Sequence, residues 1–172
     1  MVASDIHGKN SYGNTPLMLS LCNYTAAGYD RFCELIDLGS DVNTKNMYGS
    51  TPLHRACDRA DTRFLKRLLE CPNIDVNAED YGHRSPLLEC CIHGRDEHLQ
   101  LLLAAGADPN VEDRHGMTPL FKTTKVSTAR LLVNYGADIN HQDKKLRSVL
   151  HYLCEFSATA HKRLITYLVQ AG

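Results

Sequence analysis

The sequence predicts an all-α solenoid of about five helix-turn-helix-hairpin units, and two periodic landmarks carry that prediction. The first is a tripeptide: Thr15-Pro16-Leu17, Thr51-Pro52-Leu53, Ser85-Pro86-Leu87 and Thr118-Pro119-Leu120, whose first residues are 36, 34 and 33 apart. The second closes each unit: Gly39-Ser40-Asp41-Val42-Asn43, Ile74-Asp75-Val76-Asn77, Gly106-Ala107-Asp108-Pro109-Asn110 and Gly136-Ala137-Asp138-Ile139-Asn140. Two independent landmarks that keep step mark an array in which each repeat is one supersecondary unit.

Each element within the unit has a local cause. Thr or Ser caps a helix N-terminus, Pro fits the first helical position without losing a needed N–H, and Leu begins the buried face. A short first helix follows, as in His54-Arg55-Ala56-Cys57, where small residues permit close packing on a neighbour. The second helix carries apolar residues three and four apart, as in Leu65, Leu68, Leu69 and Leu99, Leu102, Leu103. These leucines are expected in the core. Gly39, Gly106 and Gly136 then stop the helix, because a left-handed residue costs least as Gly. The polar stretch into Gly49, Gly82 or Gly116 is turn chemistry.

Composition agrees with a folded chain: of 172 residues, 43% are hydrophobic and 23% charged. The longest apolar runs fall well short of a membrane-spanning helix. The N-terminus lacks the charged-then-apolar pattern of a signal peptide. Seven cysteines without a C-x-x-C pair suggest reduced thiols, hence a cytoplasmic or nuclear protein. Net charge is −1, but it is unevenly spread. Up to Asp113 there are 10 Lys and Arg against 17 Asp and Glu (−7), and from Arg114 onward 9 against 3 (+6).

The stretches "GSTPLHRA" (49–56) and "LLLAAGADPN" (101–110) closely resemble the two ends of an ankyrin repeat, and the resemblance covers nearly the whole chain. It divides the chain into units at about 5–43, 44–77, 78–110, 111–140 and 141–172. It implies paired antiparallel helices, projecting hairpins and one continuous core built from nearest-neighbour contacts. Several departures stand out. The first unit has three extra residues between its helices, within "NYTAAGYD", and the second has Pro72 in place of its stop glycine. An extra residue is read before Ser85, the fourth unit is three residues short after Thr124, and Leu146 stands where Gly is expected. The family would continue past Ala171-Gly172 with Asp-x-Asn, so the chain is expected to be part of a longer protein.

Catalysis finds no support in the sequence. There is no Gly-rich phosphate loop, G-x-S-x-G elbow or H-E-x-x-H motif, and no cofactor is expected. Cys90, Cys91 and His93 lie close along one helix, but vicinal cysteines point apart, so no metal site is expected. By resemblance, His54 and His151 occupy a slot whose imidazole bonds neighbouring backbone. Glu79-Asp80 and Glu112-Asp113 recur at one repeat position and read as hairpin residues.

The resemblance also implies a protein-binding module that works through its hairpin tips and first helices. Alignment of the units places Tyr12, Tyr48, Tyr81, His115 and Lys145 at or within one residue of the same tip position. Tyrosine offers rigid contact area with a polar end, which favours binding hot spots. Arg55, Asp58, Arg59, Glu89, Ile92 and Lys122 are expected on the exposed side of the first helices. Lys144, Lys145 and Arg147 would steer a partner with an acidic segment, and Arg114 and His115 are further expected partner contacts. The domain is expected to be monomeric. The competing expectations are an anionic ligand or nucleic acid held by Arg114, Lys122, Lys125, Lys144, Lys145 and Arg147, or regulation of an enzyme or channel encoded beyond Gly172. Nucleic acid is disfavoured because the first three units are acidic and would repel a long polyanion. Finally, Asn43 (with Leu35 and Asp41) and Asn77 (with Leu69 and Asp75) match the spacing the family shows at sites of asparaginyl hydroxylation.

Overall fold

The computed structural model describes residues 6–23, 25–157 and 161–172, so Tyr24 of the first inter-helix segment lies outside the described residues. Among the described residues ten helices follow in five pairs: α1 (Pro16–Ser20) with α2 (Ala26–Asp37), α3 (Pro52–Cys57) with α4 (Thr62–Leu69), and α5 (Pro86–Ile92) with α6 (Asp96–Ala104). The last pairs are α7 (Pro119–Lys122) with α8 (Val126–Asn134), and α9 (Val149–Ser157) with α10 (Lys162–Ala171). Described residues contain no strand, only one isolated bridge between Gln142 and Ser148.

The repeated triplet does start helices. Thr15, Thr51, Ser85 and Thr118 are N-caps with extended backbone, each followed by Pro at the head of the helix. Thr15 Oγ1 accepts from the Met18 N–H and Ser85 Oγ from the Leu88 N–H, both at 3.3 Å. Thr51 instead shares its hydroxyl with His54 Nδ1 at 2.9 Å.

The expected glycine stops hold at three helices and share one bond pattern. Gly106 has φ +90°. Its N–H donates to the Leu103 carbonyl (3.1 Å), and the next N–H, of Ala107, donates to Leu102 (3.0 Å). Gly39–Ser40 and Gly136–Ala137 do the same at the ends of α2 and α8. Without such a Gly, α4 ends at Leu69 and Cys71 N–H returns to the Leu68 carbonyl.

Two departures take a definite form. The shortened fourth unit leaves α7 with only four residues, and Thr123 leaves it in extended conformation. The insertion in the first unit goes largely into α2, which has 12 residues against 8 or 9 in α4, α6 and α8. A single buried cluster runs from Leu17 to Leu168 and includes Leu65, Leu68, Leu99, Leu102, Leu103 and Leu132. Helices α1, α3, α5, α7 and α9 stack along one row, with the longer α2, α4, α6, α8 and α10 beside them.

Candidate functional site

The five hairpins are built from one device. Its first residue is Asn10, Asn46, Asp80, Asp113 or Asp143, and that side chain's Oδ1 accepts two backbone N–H groups, two and four residues on. A local side-chain acceptor of this kind replaces ladder partners that a short turn cannot supply. Where the residue is Asp, its second oxygen takes a cation. Asp80 pairs with Arg84 at 2.8 Å, Asp113 with Lys122 at 2.7 Å, and Asp143 with Arg147 at 2.7 Å. Burial opposes charge on each carboxyl. The hydrogen bonds and cations outweigh it and hold Asp80 and Asp113 below the ordinary carboxylate value, and Asp143 at about 2.

This geometry corrects the tip alignment. The turn's left-handed position is taken by Gly13, Gly49, His83, Gly116 and Leu146. In the third unit His83, not Gly82, fills it. No residue is inserted before Ser85, because Asp80 stands five positions ahead of it as Asn46 does of Thr51. Tyr12, Tyr48, His115 and Lys145 therefore share one column, while Tyr81 belongs to the preceding column with Met47, Arg114 and Lys144. Successive tips are tied by backbone bonds from Met47 N–H to Tyr12, Tyr81 N–H to Tyr48, and Lys144 N–H to His115, each 3.0–3.1 Å. Tyr12, Tyr48 and Tyr81 are 55%, 57% and 72% exposed, so the structure does present them to solvent.

The residues of the first helices divide. Asp58 and Ile92 are exposed, and Arg55 and Arg59 are half-buried. Glu89 and Lys122 are not the open side chains expected. Glu89 is 14% exposed and bonded to Arg84 at 2.9 Å, while Lys122 is spent on Asp113. His93 bridges neighbouring units, its Nε2 3.5 Å from both Asp58 and Glu89. A cleft of about 280 Å³ lined by His54, Arg55, Asp58, Arg84 and Glu89 opens here. Arg147 is also a correction. It is 19% exposed and clamped between Asp143 and Glu155, so it stabilises the fifth hairpin and is not a steering charge. The spacing Asp-x-x-x-Arg, shared by Asp80/Arg84 and Asp143/Arg147, is the sequence signal for this role.

His54 has the expected structural part. Its Nε2 lies 2.8 Å from the Arg84 carbonyl of the next hairpin. Burial pushes the imidazole below its ordinary value. Cys90 and Cys91 are buried, and burial raises both thiols well above the ordinary value. That leaves little thiolate to act as nucleophile or ligand. Among the described residues no three His, Cys, Asp or Glu groups are placed to hold a metal ion. No helix there is long and apolar enough to cross a membrane.

Comparison with known proteins decides the family. A family model describing ankyrin repeats in three copies matches residues 24–113, just over half of the chain. The chain belongs to the ankyrin-repeat family. It is 38% identical over 68 residues to the ADP-ribosylation factor GTPase-activating protein AGD2 of Arabidopsis thaliana, covering 40% of this chain and 9% of that protein. It is 31% identical over 115 residues to the human transient receptor potential cation channel subfamily A member 1, covering 67% of this chain and 10% of the channel. It is 39% identical over 99 residues to protein PhlB of Serratia liquefaciens, covering 57% and 43%. The chain thus spans about a tenth of the first two relatives. Ankyrin repeats in general mediate protein–protein interaction and are non-catalytic.

Proposed function

We propose that this ankyrin-repeat chain is a non-enzymatic recognition arm that binds another protein through its hairpin tips and the exposed side of α1, α3 and α5. One observation carries the reading. Of the ten large apolar side chains exposed among the described residues, Tyr12, Met47, Tyr48, Tyr81 and Leu146 lie on the tips and Leu19 and Ile92 on the first helices, against Leu38, Tyr135 and Val169 elsewhere. Singly exposed apolar residues need no explanation, but their gathering on one set of elements supports a contact surface. The first two relatives are much longer proteins in which the similar stretch is about a tenth of the whole. We read this chain likewise as a recognition part of a larger scaffold, adaptor, enzyme or channel. Its seven unpaired thiols support a reducing compartment, the cytosol or nucleus, and we take the domain to be monomeric.

The test is capture of partners by the whole chain, followed by cross-linking and mass spectrometry. Cross-links should fall on the tips and on α1, α3 and α5. Capture of no protein, or cross-links confined to α4, α6 and α8, contradicts the reading. A second reading, nucleic acid, draws on Arg114, Lys144 and Lys145, which have no carboxylate partner among the described residues. It requires affinity that falls linearly on log–log axes as salt rises.

Hydroxylation of Asn43 and Asn77 is a further proposal, supported by the spacing of Leu and Asp before each. Asn43 Nδ2 donates to the Asn73 carbonyl (2.7 Å), and its Oδ1 accepts from the Asp75 N–H (2.9 Å). Asn77 bridges to Gly106 and Asp108 in the same way. Incubation with an asparaginyl hydroxylase should add one oxygen at these residues by mass spectrometry, and no added mass removes the idea.

A further inference from the structure

Leu146 stands in the left-handed turn position with φ +59° and is 75% exposed. Three of the four equivalent positions are Gly, which enters that region without steric cost. The fourth, His83, uses its ring, whose Nδ1 lies 2.9 Å from Glu79 Oε2. Leu146 presents a large apolar side chain to solvent from a backbone conformation that disfavours it. Strain retained with no visible internal return is a feature of binding sites.

The surrounding charge is distinctive. Asp143 and Glu155 consume Arg147, and Asp113 consumes Lys122. Arg114, Lys144 and Lys145 have no carboxylate partner among the described residues. They are gathered at one place because Lys144 N–H donates to the His115 carbonyl (3.1 Å) and Lys144 Nζ to the Arg114 carbonyl (2.9 Å). Arg114 Nε in turn donates to His115 Nε2 at 3.1 Å. A cleft of about 250 Å³ is lined by His115, Met117, Asp143, Lys144, Lys145 and Arg147, with the Asp143 carboxylate paired to Arg147. Its neighbour of about 420 Å³ shares His115 and is lined by Gly82, Arg84, Asp113, Arg114 and Lys122, with Asp113 paired to Lys122.

We propose that this paired tip, Lys144-Lys145-Leu146 with Arg114 and His115, is the docking point for a partner protein segment in which carboxylates flank an apolar side chain. The proposal rests on the protein-recognition reading above and names the chemistry of the partner. Leu146 provides the apolar contact, and the three cations complement the acids and fix the segment's register. Phosphates alone would satisfy the cations and leave Leu146 without a role.

The experiment selects random dodecamer peptides by display on the whole chain. Enriched peptides are then measured by fluorescence polarisation against wild type, Leu146→Gly, Lys144→Glu/Lys145→Glu and Tyr48→Ala. The enriched set should carry at least two Asp or Glu within a few residues of an apolar side chain. Leu146→Gly should weaken binding about tenfold, the scale of one partly buried apolar side chain. The same substitution relieves the backbone, so the melting temperature should stay unchanged or rise by about 2–4 °C. The double charge reversal should slow association, with added salt masking the difference. Equal affinity for Leu146→Gly overturns the proposal, whatever its stability. Peptides that depend on Tyr48 and not on Leu146 leave protein recognition standing and remove this docking point. Competition by a single-stranded oligonucleotide with a steep salt slope assigns the tip to polyanions and overturns it. Failure to enrich any peptide overturns this docking point, while capture of a protein by the whole chain keeps the recognition reading apart from it.

Discussion

Gly49 adopts φ +78°, and a Cβ there would stand 2.6 Å from the Tyr81 amide nitrogen. Both constraints fall on one atom, and the obstacle is backbone that belongs to the next hairpin. Gly49→Ala should therefore cost more than about 1 kcal/mol in chemical denaturation, and a loss within experimental error would contradict the tight tip stacking. His54 gives a pH dependence. Burial lowers its imidazole below the ordinary 6.5, and the Arg84 carbonyl bond only partly offsets this. The unfolded chain then takes up a proton first. Stability is complete above pH 6.5 and falls as pH drops from there towards the folded value. His98, lowered by burial and by Arg95, adds to the same slope. Urea midpoints at about pH 7.5 and 5.5, either side of the ordinary histidine value, should differ less in His54→Gln than in wild type. Equal differences would remove His54 from the account.

Helix starts and stops were legible because the residues that make them act locally: Thr15, Thr51, Ser85 and Thr118 cap, and Gly39, Gly106 and Gly136 terminate. In the third hairpin Gly82 resembles the turn glycine, whereas the turn is registered by Asp80 three residues before His83. That register was written in the sequence as Asn10, Asn46, Asp80, Asp113 and Asp143. The exposed side was legible only in part. Tyr48 and Ile92 are open, but the burial of Glu89 and Arg147 depends on which cation meets which carboxylate across a turn. Leu102 and Leu103 lie in α6, pressed by α4 on one side and α8 on the other. Replacing either with Ala should cost about 2–5 kcal/mol by equilibrium denaturation. A loss below about 1 kcal/mol at both would contradict the packing.

Across the whole molecule, the proposed reading has the charge split and the exposed apolar side chains divide the work of binding. The −7 of the first 113 residues and the +6 of the remainder are not all available to a partner. Lys122 and Arg147 are consumed inside the fold, which leaves Arg114, Lys144 and Lys145 as the open cations of the last two tips, with Lys162 and Arg163 exposed on α10. Tyr12, Tyr48 and Tyr81 stand exposed at the other end, where the proposed partner would desolvate them. Truncating such a contact costs about 2 kcal/mol or more at a hot spot. Tyr48→Ala should accordingly raise the dissociation rate of a captured partner while leaving association little changed, as surface plasmon resonance would show. The central claim is that a protein partner lies along the tips and first helices. Hydrogen–deuterium exchange of the chain with and without its captured partner tests this most directly. Protection should appear at residues 46–50, 80–84 and 143–147 and along α3 and α5. Protection confined to α4, α6 and α8, with the tips unchanged, would contradict it.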